Sequence, residues 1–151
     1  MKVDIQKIKE LREKTGVSVS QCRQALEKAG GDLNGARKFL KEWGIEIAEK
    51  KSDRPTGSGR IEAYVHADGR TASLVELLCE TDFVAKTEEF KDFAHNLALQ
   101  VASMAPKNEK ALFDQEYIRE PDKKIKDLLT EKIALLGENI KMGRFVRWKL
   151  I

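Results

Sequence analysis

The residue types that do covalent or acid–base chemistry are few in this chain, and their spacing does not suit it. His66 and His95 lie far apart, and neither has a cysteine or histidine neighbour at metal-ligand spacing, so no zinc or other metal site is expected. His66 sits most simply on the exposed face of a strand. Cys22 and Cys79 each lie in apolar surroundings and read as buried, reduced thiols in preference to a disulfide. No Gly-x-Ser-x-Gly, His-Glu-x-x-His or Gly-x-Gly-x-x-Gly occurs. Gly57-Ser58-Gly59 is not a phosphate loop, because no Gly-Lys-Ser/Thr follows it. Glu88-Glu89 falls at a helix start, where acids favour the helix dipole, and reads as a solvated face. The expectation is a protein that is not an enzyme, with no catalytic residue, no cofactor and no metal.

Recognition chemistry is what remains. The junction Cys79-Glu80-Thr81-Asp82-Phe83-Val84-Ala85-Lys86 follows an apolar strand and precedes a helix, so it is a strand-to-helix loop. Thr81 and Asp82 are cap-type residues, whereas Phe83 and Val84 bring apolar side chains onto the loop. In one reading Phe83 or Val84 is a staple packed back on the coming helix, and Asp82 satisfies backbone amides. In the other, an exposed Phe on a rigid, acid-flanked loop is an insertion wedge for a partner. The tail also has two readings. Lys141, Arg144, Arg147 and Lys149, interleaved with Phe145 and Trp148, have the residue types that stack bases and neutralise phosphates. The plainer reading is a sheet strand with aromatic residues inward and basic ones at the rim, favoured because the rest of the chain lacks a supporting basic surface.

The elements that must position these residues follow from periodicity. Ile5, Ile8 and Leu11 recur at three-residue spacing before Gly16, which is placed to stop that helix. Ser18 with Gln21 has the form of a capping box and opens a second helix with Cys22, Ala25, Leu26 and Ala29 as its apolar positions, ended by Gly30-Gly31. Asp32 caps a third helix carrying Leu33, Ala36, Phe39, Leu40 and Trp43, closed by Gly44. Helices this short are unstable alone, so residues 1–44 are expected to pack as a three-helix bundle. Residues 45–59 are polar, charged and rich in Gly, Ser and Pro, and read as a linker.

From residue 60 to 151 the period changes. Ile61, Ala63 and Val65 alternate with Glu62, Tyr64 and His66, the mark of a half-buried strand, and Asp68-Gly69 is a hairpin turn signal. The return strand carries Leu74-Val75-Glu76-Leu77-Leu78-Cys79, an apolar run that suggests cover on both faces. Phe90, Phe93, Leu97, Val101 and Met104 mark a helix stopped by Pro106. Pro121 is placed as the start of a last helix with Ile125, Leu128, Leu129, Ile133 and Leu136 on its stripe, ending at Gly137, and 144–151 reads as a final strand. The fold class is α+β.

Composition bounds the surroundings. The 151 residues make one domain or two small ones. The net charge of +3 comes from 28 basic and 25 acidic residues, so bulk charge does not drive nucleic-acid binding. Apolar runs are too short to span a membrane, and the opening Met1-Lys2-Val3-Asp4-Ile5 has neither signal-peptide nor transit character. A cytoplasmic protein is expected.

Thr81-Asp82-Phe83-Val84-Ala85, preceded by Leu77-Leu78-Cys79-Glu80, closely resembles the signature of the elongation factor Ts family. Two further stretches resemble it in the same order. One runs from Lys9 to Gly16 and on to Cys22-Arg23-Gln24-Ala25-Leu26 and Gly31-Asp32; the other is Gly137-Glu138-Asn139-Ile140 followed by Arg144-Phe145. The resemblance implies a ubiquitin-associated-type N-terminal three-helix bundle, a linker, and a small antiparallel-sheet core with packed helices. It implies guanine-nucleotide exchange on elongation factor Tu, bound with GDP or free of nucleotide, and no membrane or direct nucleic-acid partner. The residues it assigns to that partner are Arg12, Val19, Ser20 and Arg23 of the bundle and Thr81, Asp82, Phe83 and Val84 of the loop. Asp82 and Phe83 would push in beside the magnesium and phosphate site. Two departures stand out: Ser18-Val19-Ser20-Gln21 replaces the family's Gly-Met-Met-Asp, and the core is short after Pro106. Short forms of the family dimerise through the core sheet, so a homodimer is expected. A ubiquitin-associated-like interaction module without exchange activity is the alternative, but it gives no role to Thr81–Ala85.

Overall fold

The computed structural model describes residues 2–151, and the chain forms two compact units that meet in sequence at Lys50 and Lys51.

The first unit is helical. Helix α1 (Ile5–Thr15) begins at Asp4, whose side chain accepts from the Gln6 amide, and ends at Gly16, whose left-handed backbone lets its N–H reach the Arg12 carbonyl at 2.7 Å. Helix α2 (Val19–Lys28) opens with the anticipated reciprocal cap: the Gln21 amide donates to Ser18 Oγ and the Ser18 amide donates to Gln21 Oε1. Helix α3 (Leu33–Lys51) starts where Asp32 Oδ2 accepts from the Gly35 amide at 2.7 Å. Leu11, Cys22, Ala25, Leu26 and Ala36 are fully buried between the helices, with Ile8, Leu33, Phe39 and Leu40 packed around them. Gly44 does not close α3, contrary to the reading from sequence. Glycine inside a helix costs only about 1 kcal/mol relative to alanine, and the residues after it are helix formers. The helix therefore runs on to Lys51, through the first part of the segment read as a linker, and stops shortly before Pro55.

The second unit is built on a three-stranded antiparallel sheet of β1 (Ser58–Val65), β2 (Thr71–Cys79) and β5 (Lys141–Lys149), in the order β1-β2-β5. The β1–β2 turn falls at Asp68-Gly69 as expected, with Gly69 at φ 69°. Ser73, Val75, Leu77 and Cys79 of the central strand are buried on one face, under α5 (Glu88–Met104) and its buried Phe90, Phe93, Leu97 and Val101. The Ser73 hydroxyl donates to the Ala98 carbonyl at 2.6 Å, which fixes helix against strand. Around this core lie α4 (Asp82–Ala85), α6 (Glu109–Asp114), the small β3–β4 ladder (Glu116–Tyr117, Glu120–Lys124) and α7 (Ile125–Leu136). The buried Gln100 of α5 holds that ladder, accepting from the Ile118 amide and donating to the Glu116 carbonyl. Pro121 lies within β4 rather than at a helix start. The register there jumps from Tyr117–Glu120 to Glu116–Lys124, so its missing N–H leaves no ladder bond unmade.

The sheet differs from expectation in one respect that matters for function. Among the described residues only one face is covered. In β1 the alternation is turned over: Glu62 and Tyr64 are half-buried, while Ile61, Ala63 and Val65 are exposed. In β5 Phe145 is half-buried but Trp148 is 66% exposed, so the two aromatic residues do not both point inward. The cross-strand rows Val65–Ala72–Trp148 and Ala63–Leu74–Val146 leave an apolar sheet face open, bounded by Ile61 and the Glu76–Arg144 pair.

Candidate functional site

The loop after β2 is a one-turn helix, α4, too short to persist on its own propensity. It is held from outside. Thr81 is its N-cap, with Oγ1 accepting from the Val84 amide at 3.4 Å. At its other end the Thr87 hydroxyl donates to the Val84 carbonyl at 2.8 Å, while Thr87 Oγ1 accepts from the Phe90 amide to cap α5. Ala85 is buried and anchors the turn on the core.

The start of the turn is locked to the loop between α7 and β5. One Glu138 oxygen accepts from the Glu80 amide (3.1 Å) and the Thr81 amide (3.0 Å), and the other accepts from the Thr81 hydroxyl (2.7 Å). Glu80 returns the contact by accepting from the Asn139 amide at 2.8 Å, and it pairs with Arg54 at 3.7 Å. The buried Asn139 side chain donates to the Arg54 and Ser52 carbonyls, tying in the segment that leads to β1. Cys79 closes the base of the turn. Burial, aided by the charges of Glu138 and Asp82, pushes its thiol up to about 11, so it stays protonated and donates to the Thr81 carbonyl at 3.2 Å.

On this braced turn Phe83 is 87% exposed. It is not folded back as a staple; Val84, half-buried, is the apolar residue of the loop turned towards the protein. The Asp82 carboxylate beside it is exposed and accepts no hydrogen bond from the described residues. The arrangement presents one large apolar ring and one unneutralised acid on a backbone with little freedom. An exposed ring beside an exposed acid has the chemistry of recognition and not of bond-making. Among the described residues no group of histidine, cysteine or acidic side chains has the arrangement of a metal site.

The chain is 40% identical to elongation factor Ts of Coprothermobacter proteolyticus, in an alignment covering 99% of this chain and 99% of that protein. Elongation factor Ts of Rubrobacter xylanophilus is also 40% identical, over 99% of this chain and all of the relative, and that of Thermotoga petrophila is 40% identical over 99% and 97%. The chain belongs to the elongation factor Ts family. The sequence model described as Elongation factor TS matches residues 80–150, a span that begins at Glu80 and contains the whole braced turn and its Glu138 partner. The first of these alignments extends over 195 positions against 151 residues, so this member of the family lacks segments that its relative has, in keeping with the short core.

The other candidate residues of this family member lie on the helical unit. Val19 and Ser20 occupy the first turn of α2 and are exposed, and Arg23 follows one turn on, with Nε 3.1 Å from Glu27 Oε1. Arg12, near the end of α1, is exposed and close enough for its charge to act on the Cys22 thiol, which burial raises. The structure thus groups Thr81–Val84 on one turn, and Val19, Ser20 and Arg23 on one stretch of α2. Sequence reasoning missed Glu138, Asn139 and Glu80. Glu80 lies 58 positions from Glu138, and the one signal was the Gly137-Glu138-Asn139-Ile140 stretch after a helix, which carried the resemblance without a role for its side chains.

Proposed function

We propose that this protein is a guanine-nucleotide exchange factor for elongation factor Tu, promoting GDP release during translation elongation. The observation that carries the reading is Phe83, almost fully exposed on a turn braced at both ends. Asp82 and Phe83 enter the partner beside its magnesium and phosphate site, while Arg12, Val19, Ser20 and Arg23 of the helical domain dock on the partner's nucleotide-binding domain. The division of labour is a helical domain, a connecting segment and an α+β core, each with its own contact.

The physics is linkage. A factor that favours the nucleotide-free GTPase weakens nucleotide binding by the same factor by which nucleotide weakens its own binding. Each tenfold weakening needs about 1.4 kcal/mol of differential interaction. Burying a Phe side chain supplies roughly 1.5–3 kcal/mol, so Phe83 accounts for one to two decades. Larger factors require the magnesium site to be disturbed, because the metal bridges the phosphate oxygens. A rigid turn matters here: a floppy Phe would lose much of that energy to ordering. The protein makes and breaks no covalent bond in this scheme.

The open sheet face supports a second copy of the chain as a further partner. Val65, Trp148, Leu74 and Val146 form an apolar surface that a two-fold related sheet would cover face to face. Nucleic acid is not favoured by the tail: the Arg144 guanidinium is engaged by Glu76, and Arg147 Nε donates to the Ala102 carbonyl at 2.8 Å. The alternative of a ubiquitin-associated-like binding module without exchange activity is separated by one assay. Labelled GDP is preloaded on elongation factor Tu and its release followed with and without stoichiometric protein. Accelerated release supports exchange, and release at the unassisted rate contradicts it.

A further inference from the structure

We infer that Glu138 is a positioning residue for the Phe83 wedge: from the α7–β5 loop it fixes the hydrogen-bond direction of the Thr81 cap and so the presentation of Phe83. The inference rests on the exchange reading above and adds to it a residue that never needs to touch the partner.

A four-residue helix has no internal cooperativity to hold its shape, and Phe83, facing solvent, contributes no packing that would fix its own backbone. The orientation of α4 must therefore be set at its ends. At the N-terminal end the deciding group is the Thr81 hydroxyl, which has one proton to give. Glu138 Oε2 takes that proton at 2.7 Å, which leaves a Thr81 Oγ1 lone pair directed at the Val84 amide. The two bonds form a chain from carboxylate to hydroxyl to the Val84 amide, the third of the turn, and each polarises the next. The other Glu138 oxygen takes both backbone amides that lead into the turn, Glu80 and Thr81. One carboxylate thus fixes the chain direction into α4 and the rotamer of its cap.

Glu138 is itself immobilised. Gly137, at φ 76°, ends α7 with its N–H on the Ile133 carbonyl, and the buried Asn139 and Ile140 hold the far side. The Lys51 ammonium donates to the Gly137 carbonyl at 2.8 Å. The brace is an acid placed among acids, with Glu80 and Asp82 close by in sequence on the loop it holds. Three donors converge on its side chain there.

The test is saturation kinetics of GDP release from elongation factor Tu, with Glu138→Ala and Glu138→Gln measured alone and each combined with Phe83→Ala. Glu138→Ala is expected to lower the maximal release rate roughly tenfold, the lower end of the Phe83 effect through which it acts, with the half-saturating concentration changed less than threefold. Glu138→Gln retains an acceptor for the two amides but presents an NH2 to the Thr81 hydroxyl, so a smaller loss is expected. In the Phe83→Ala background either change should add less than twofold, because Glu138 acts through that ring. A wild-type maximal rate for either single variant overturns the inference. So do losses that multiply independently in the Phe83→Ala background. If Glu138→Ala does not fold, judged by circular dichroism, Glu138→Gln alone decides. Failure of the exchange reading is distinguishable: there Phe83→Ala, by itself, leaves release unchanged.

Discussion

Replacing Gly59 by alanine adds one methyl group at a place where the backbone has no room for it. Gly59, the second residue of β1, lies opposite Leu78, and a Cβ built there lies 2.2 Å from the Leu77 carbonyl oxygen and 2.9 Å from Leu78 Cα. These are backbone atoms of the central strand, so no side chain can rotate away. The residue also holds φ at 152°, where a side chain is strained, at roughly 1–3 kcal/mol. Relief requires β1 to move off β2 by more than an ångström at this point, losing one or two ladder bonds worth about 0.5–1.5 kcal/mol each. The sum is about 2–6 kcal/mol, a large part of a typical domain stability of about 5–15 kcal/mol. Gly57→Ala is the matched control. It lies two residues earlier, its added Cβ meets nothing within 4 Å, and its effect should stay within about 0.5 kcal/mol. Urea unfolding followed by far-ultraviolet circular dichroism compares the two. If Gly59→Ala unfolds within about 1 kcal/mol of the wild type, the Gly59–Leu78 register is wrong, and with it the path of the segment that Asn139 ties down.

Two other outcomes follow from the open sheet face. Glu76 accepts from the Arg144 amide (2.8 Å) and from two guanidinium nitrogens, and these bonds hold its carboxyl at about 2. A depressed carboxyl contributes stability that is complete above the unfolded value near 4.5 and lost as pH falls towards about 2. The stability difference between wild type and Glu76→Gln should therefore be constant above pH 5 and shrink below it; a difference that grows on acidification would refute the pairing. Trp148→Asp puts a charge in the row Val65–Ala72–Trp148, so sedimentation should find a self-associating wild type and a monomeric variant with the same fold. Equal masses for the two proteins would remove the sheet face as a dimer surface.

Much of this molecule is written locally. Ser18 and Gln21 announce their cap because both partners lie within one turn, and Gly16 and Gly137 mark helix ends because each helix there needs a left-handed residue. Of the repeat Ile5, Ile8 and Leu11 only Leu11 is fully buried and Ile5 is exposed, whereas Phe90, Phe93, Leu97 and Val101 name the buried face of α5 correctly. What failed was the choice between faces. Ile61-Glu62-Ala63-Tyr64-Val65 alternates whichever way it is turned, and the half-buried pair Glu62–Tyr64 is the one under α5, with Arg60 and His95 beside Glu62. Gly44 failed as a stop because propensity is a weak signal against a run of good helix formers. At the candidate site, Thr81, Asp82 and Phe83 were legible as a cap-type loop with a misplaced aromatic, yet sequence left the staple and wedge readings open. The exposure of Phe83 rules that ring out as a staple. The Glu138 brace was invisible because it is made by chain segments brought together only when β5 pairs with β2.

The most direct test of the central claim is the rate of labelled GDP release from elongation factor Tu with Phe83→Ala in place of the wild-type protein. Because the ring is exposed in the free protein, the variant should keep its stability within about 0.5 kcal/mol. Losing roughly 1.5–3 kcal/mol of differential burial should slow stimulated release by about one to two decades while weaker binding persists. Release that proceeds at the wild-type rate would contradict the account.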